Sequence, residues 1–139
     1  MNVFPTFERS QFLLCEEARE EKTGKFTIIG FFPGSRLVVT SPPTADKKVT
    51  VVLTFMVVFC DGEGDAKLHA RVLDPDGTEV IAMVVAHPVT KLSDKVMTLA
   101  MHVPAFPITK LGTYTMRLNL DDKTFDFPFY VESTDVRTH

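Results

Sequence analysis

The chain of 139 residues predicts an all-β fold: an antiparallel β-sandwich, immunoglobulin-like or C2-like, with eight or nine strands in one domain over residues 1–139. Three observations predict it. Two segments alternate apolar and polar residues on both sides of a turn, as half-buried hairpins do. Residues 49–60 are rich in Val, Thr and Phe and apolar on both faces, as a central strand is. No long amphipathic helix separates the strand-like segments, which disfavours a doubly wound α/β fold.

The elements follow in chain order. Residues 11–22 open with Phe12-Leu13-Leu14-Cys15, which suits a strand. They close with Glu16-Glu17-Ala18-Arg19-Glu20-Glu21-Lys22, which are helix formers. The reading is a strand running into a polar turn. Residues 26–32 form a strand after a Thr23-Gly24 turn, and Pro42-Pro43-Thr44-Ala45-Asp46 is a loop. Leu68, Ala70 and Val72 alternate with Lys67, His69 and Arg71. Asp74-Pro75-Asp76-Gly77 then turns the chain, and residues 80–86 return. Residues 96–103 form a strand ended by Pro104 and Pro107. Tyr114, Met116, Leu118 and Leu120 alternate with Thr113, Thr115, Arg117 and Asn119. Asp121-Asp122 turns the chain, and Phe125, Phe127, Phe129 and Val131 line the returning face. Pro128 cannot donate to a ladder, which puts part of the last strand at a sheet edge. Tyr114, following Leu111-Gly112-Thr113, resembles the entry to the penultimate strand of immunoglobulin-like domains.

Composition narrows the function. Apolar residues are 45% and charged residues 24%, so the chain is not disordered. A net charge of −3 without Lys/Arg clusters excludes a nucleic-acid footprint. The longest apolar run, residues 55–60, is far too short for a membrane helix, and Met1-Asn-Val-Phe-Pro does not read as a signal peptide. Cys15 and Cys60 read as two buried free thiols of a reducing cytosol, although spacing leaves a disulfide between them open. A cytoplasmic location is therefore expected.

Candidate chemistry is sparse. With the strands alternating in direction from residue 49 onward, the loops at 61–65, 88–94 and 121–122 share one end. That end gathers Asp61, Glu63, Asp65, Asp94, Asp121 and Asp122. Loop carboxylates of a sandwich can hold calcium, so Asp61, Glu63, Asp65, Asp121 and Asp122 are the candidate ligands. The plainer reading is turn chemistry in an acidic protein. The spacing Asp61-Gly62-Glu63-Gly64-Asp65 is not an EF-hand loop. His69, His87, His102 and His139 have no second ligand at metal-binding spacing. A hydrolase would need His69 and His102 to converge with a carboxylate. There is no nucleophile elbow, and Gly30-Phe31-Phe32-Pro33-Gly34 is no phosphate loop. Twelve Phe, two Tyr and no Trp weigh toward a core rather than sugar platforms. The pairs Phe31-Phe32 and Phe106-Pro107 either form an exposed patch or, by the favoured reading, close the core.

The segment Leu14-Cys15-Glu16-Glu17-Ala18-Arg19, then Gly24-Lys25 and Ile28-Ile29-Gly30, resembles an uncharacterised family of small bacterial proteins with a Cys-acid-acid-x-Arg motif before a Gly-Lys turn. Phe106-Pro107-Ile108 followed by Gly112-Thr113-Tyr114 continues the resemblance. It implies the sandwich fold and a bacterial or phage origin, and no activity. The motif also asks for a carboxylate partner to Arg19. The expected function is a non-catalytic binding or protein-interaction module with no cofactor. Its partner is an unnamed protein or a second copy joined through an edge strand, with neither nucleic acid nor membrane involved. The alternative is a calcium- or small-ligand-binding sandwich.

Overall fold

The computed structural model describes residues 3–44, 46–90 and 96–134, and of Asp65 and residues 83–90 the backbone only. The strands are β1 (Ser10–Glu20), β2 (Phe26–Phe31), β3 (Arg36–Val39), β4 (Val49–Phe59), β5 (Asp65–Leu73), β6 (Glu79–Thr90), β7 (Met97–Ile108), β8 (Gly112–Leu120) and β9 (Lys123–Ser133). They form two sheets, ordered β2-β1-β4-β7 and β3-β9-β8-β5-β6. All pairings are antiparallel except β3 on β9. The nine described strands make the all-β sandwich that the alternation predicts.

Both hairpins form. β8 and β9 pair from Gly112↔Val131 to Leu120↔Lys123, which leaves Asp121-Asp122 as the two-residue loop. Asp121 has φ +52°, the left-handed geometry that tight hairpin loops require. β5 and β6 join through Asp74, whose Oδ1 accepts the amides of Asp76 (2.8 Å) and Thr78 (3.0 Å). β4 lies between β1 and β7, and residues 53–57 are all buried, as its two apolar faces predict. β9 meets β3 only from Tyr130 onward, so Pro128 does face an open edge.

Other expectations are corrected. The helix formers at 16–20 continue β1, because pairing with β2 from Cys15↔Phe31 to Glu20↔Phe26 outweighs a small intrinsic propensity. β7 does not end at Pro104 but runs through Pro107 to Ile108. Proline is tolerated there because β7 is an edge strand whose register slips against β4 between Val51 and Leu53. Residues 36–39, unmarked by any alternation, form β3. Strands β4 and β5 are not a hairpin; that link, β6 to β7 and β7 to β8 cross between sheets. The loop expected at 88–94 starts later, because β6 runs on to Thr90, and residues 91–95 lie outside the described residues. Cys15 and Cys60 are free, and Cys15 pairs with Thr54, six residues up β4 from Cys60. At about 3.3 Å per residue that is roughly 20 Å, which forbids a disulfide.

The core lies between the sheets. Phe12, Leu14, Leu53, Phe55, Val57 and Phe59 face Met116, Leu118, Phe125, Phe127, Phe129 and Val131. Phe106 is fully buried and Phe32 packs against the core, while Phe31 is half exposed, so the two aromatic pairs divide between core and surface. Tyr114 is fully buried, yet its hydroxyl is satisfied locally. The Oη accepts the amides of Thr109 (3.1 Å) and Lys110 (3.2 Å) and donates to the Lys110 carbonyl (2.7 Å). This ties the β7–β8 crossing to the strand it enters.

Tyr114→Phe keeps the ring and removes the hydroxyl, leaving those backbone groups without that partner. A loss of about 1–3 kcal/mol is expected in urea unfolding, with the slope unchanged. An unaltered midpoint would remove the crossing as a stabilising device.

Candidate functional site

Of the three acidic loops expected at one end, two lie side by side, and residues 91–94 of the third fall outside the described residues. β5 starts beside the end of β8, with Leu68 opposite Leu120. Two of the carboxylates at this end, those of Asp61 and Asp121, have work within the protein, however. Asp61 accepts the Thr6 amide through Oδ1 (3.0 Å) and the Thr6 hydroxyl through Oδ2 (2.7 Å). Glu63 and Val3 exchange backbone hydrogen bonds of 2.8 Å each way. Gly62 has φ +99°, and a Cβ there would stand 2.9 Å from the Val3 carbonyl oxygen and the Pro5 nitrogen. Residues 61–63 thus form a cradle for the N-terminal segment. Asp121 accepts the Lys67 amide through Oδ1 (3.0 Å), and its own amide donates to the Lys67 carbonyl (2.9 Å). Asp122 is exposed. The side chain of Asp65, and Asp94 altogether, lie outside the described residues, as do the side chain of His87 and all of His139. Among the described residues no three His, Cys, Asp or Glu side chains stand close enough together to hold a metal ion.

His69 and His102 do not converge, because His69 is on β5 of one sheet and His102 on β7 of the other. His102 instead belongs to a second place that sequence reasoning did not connect. The β1–β4 ladder ends at Cys15↔Thr54, but β1 runs on to Glu20 and β4 extends back to Val49. The two strands diverge. The split holds a cleft of about 650 Å³ lined by Glu16, Glu17, Ala18, Ile29, Val52 and His102.

One side chain marks the apex. Thr54 is buried, and its hydroxyl donates to the Glu16 carbonyl (3.0 Å) while standing 2.8 Å from His102 Nδ1. A carbonyl can only accept, so the single hydroxyl proton goes to Glu16. With that proton spent, Nδ1 of His102 is the donor to the Thr54 oxygen. Beside it Cys15 is fully buried, and its thiol donates weakly to the Thr54 carbonyl (3.9 Å). Burial, with a smaller push from Glu16, raises the Cys15 pKa above the ordinary thiol value. Glu17 meets the expected need of Arg19, whose Nε donates to Glu17 Oε2 at 2.9 Å in an exposed pair. Glu16 lies across Gly30: a Cβ at residue 30 would overlap its carboxylate, and φ there is +68°.

The residues that carried the family resemblance therefore meet in space. Glu17 pairs with Ile29 and Ala18 with Ile28, and four of the six residues lining the cleft come from those two short segments. The signal available in the sequence was the pair of segments itself. Their meeting point was not legible, because nothing local states where a ladder stops.

The chain belongs to a family of unknown function (DUF6941), whose model matches residues 10–132. No curated protein matches it.

Three measurements test these sites. Asp61→Ala should release the N-terminal segment, costing about 1 kcal/mol and exposing residues 3–9 to protease; unchanged cleavage would contradict the cradle. A melt with excess calcium and then chelator reads the same end, since a cation held by the folded state must raise the midpoint. Cys15 makes stability depend on pH. Its folded pKa lies above the unfolded one, so its contribution is complete at neutral pH and lost as pH rises past the ordinary thiol range, about 8.5. The melting temperature should fall more steeply above that pH in the wild type than in Cys15→Ala, and equal slopes would refute it.

Proposed function

We propose that the domain is a non-catalytic protein-interaction module that meets its partner with the arm made by β2 and the second half of β1. One observation carries this reading: no residue from 16 to 36 is buried. The core takes Phe12 and Leu14 from β1, Cys15 is the last buried residue of that strand, and β2 has no buried residue. A two-stranded ribbon without a core is marginal in water, so such an arm is built to be covered. Its side chains agree. Of the eight large apolar residues exposed among the described ones, Ile28, Ile29 and Phe31 are on the arm, and Val52 faces it across the cleft. Clustered exposed apolar residues rimmed by charges such as Glu16, Glu17 and Arg19 are what association surfaces present.

In the same reading the sandwich is immunoglobulin-like. Support comes from a first-half strand, β3, parallel to the last strand, from the β5-β8-β9 core of one sheet, and from the Tyr114 hydroxyl at the entry to the penultimate strand. Two free thiols, one fully buried, fit a reducing compartment such as the cytoplasm.

The test is selection from a displayed random-peptide library on the immobilised full chain. Enriched peptides should share a pattern, bind the wild type and lose at least about tenfold in affinity against Val52→Glu, a substitution at an already exposed site. Failure to enrich any common pattern, or equal binding by the variant, would sink the proposal.

A further inference from the structure

We infer that the free edge of β2 takes a second copy of this chain, pairing antiparallel with itself across a two-fold axis. The inference rests on the arm being an interaction surface and names what covers its edge.

The sandwich has four terminal strands, β2 and β7 in one sheet and β3 and β6 in the other. An unpaired edge is a template for another chain, and proteins blunt the edges that must stay single with proline, bulges, charge or short length. Three of the four are blunted. β7 carries Pro104 and Pro107 and slips in register against β4. β3 is four residues long. β6 carries Pro88 and slips twice against β5, between Lys67 and His69 and between Val72 and Leu73.

β2 has none of these devices. It is Phe26-Thr27-Ile28-Ile29-Gly30-Phe31, six residues with no proline and no charge. Its register with β1 does not slip, although Gly30, at φ +68°, drops out of the pairing between Cys15↔Phe31 and Glu17↔Ile29. Ile29 and Phe31 share the outer face of the sheet and Ile28 lies on the other, and all three are exposed, at 40%, 50% and 37%. An edge apolar on both faces gains burial on both when a strand is added.

The strand itself carries no charge and is apolar on both faces, so a second copy meets it without repulsion, and the charges bracketing it set the direction. Lys25 precedes β2, and the nearest charge after it is Arg36. Parallel pairing of two copies would set Lys25 beside Lys25. Antiparallel pairing separates them to opposite ends of the ladder and places Ile28 and Ile29 near the axis, each copy offering the other the same patch. The product is one eight-stranded sheet, β7-β4-β1-β2 joined to β2-β1-β4-β7. Six residues a side is small beside an ordinary interface of roughly 20–30, so the dimer should dissociate on dilution through the micromolar range.

Sedimentation equilibrium of the full chain across that range should show a monomer–dimer equilibrium. Ile28→Lys, which sets two cations near the axis, should weaken it at least about tenfold with the melting temperature of the monomer unchanged. Hydrogen exchange of the wild type needs no variant: protection of amides 26–31 should rise with concentration while those of β6 and β7 stay constant. A strict monomer at every concentration, or concentration-dependent protection on β6 or β7 instead, overturns the inference. If the chain is monomeric but still selects peptides that Val52→Glu loses, self-pairing fails and the interaction-module reading stands.

Discussion

The fold depends on a ladder of aromatic rings across the gap between the sheets. Phe125, Phe127 and Phe129 stand at alternate positions of β9, and each meets a phenyl ring of the opposite sheet. Phe125 lies 5.2 Å from Phe59, Phe127 lies 5.2 Å from Phe12, and Phe129 lies 5.5 Å from Phe55. Phe106 adds contacts to Phe55, Phe129 and Tyr114. Among the described residues no hydrogen-bonded ladder joins one sheet to the other, so these contacts and the aliphatic side chains around them hold the layers together. Each ring pair contributes about 0.5–1.5 kcal/mol beyond the area it buries. The ladder also fixes register, because a one-residue slip of β9 would turn all three rings to solvent.

The same ladder determines what is left over. Its reach along β1 ends with Phe12 and the neighbouring Leu14, and β1 continues for five residues, 16–20, past the last buried position, Cys15. Those residues have β2 on one side and the split on the other. The arm is thus a consequence of unequal lengths: β1 and β4 each have eleven residues, yet their ladder joins only six of each. The acidic end is the opposite case. There the N-terminal segment folds back, and Phe7 stacks on Phe127 at 5.4 Å, so its loops are part of the packing.

This contrast explains what could be read from the chain. Hairpins β5–β6 and β8–β9 were legible because side-chain alternation and turn residues are local signals, and Asp121 and Asp74 do the work such residues do elsewhere. Clustering of two of the acidic loops at one end was legible too, since it needs only reversal of the chain at each connection. β3 was not, because four residues without alternation become a strand only when β9 offers an edge. Pro104 misled because proline ends a strand only where its missing amide is needed. For the cleft, the residue types were visible at Glu16, Glu17 and Ile29, but their convergence with Val52 and His102 depends on where one ladder stops.

Where a ladder stops is itself a polar matter. Three polar residues are buried among the described ones, Thr54, Asp74 and Ser133. Each stands where regular pairing ends: Thr54 at the apex of the split, Asp74 at the β5–β6 turn, Ser133 at the last residue of β9. None of the described buried side-chain polar atoms lacks a partner. A strand that leaves its neighbour strands backbone groups, and a buried group left unpaired costs about 1–3 kcal/mol. The Thr54 hydroxyl removes that cost at Glu16, and in doing so it draws in His102 as donor. An apolar residue at position 54 would take that hydroxyl away from the Glu16 carbonyl. The split between β1 and β4 is therefore a built feature of the sheet rather than a frayed end, closed at its apex by the Thr54 hydroxyl.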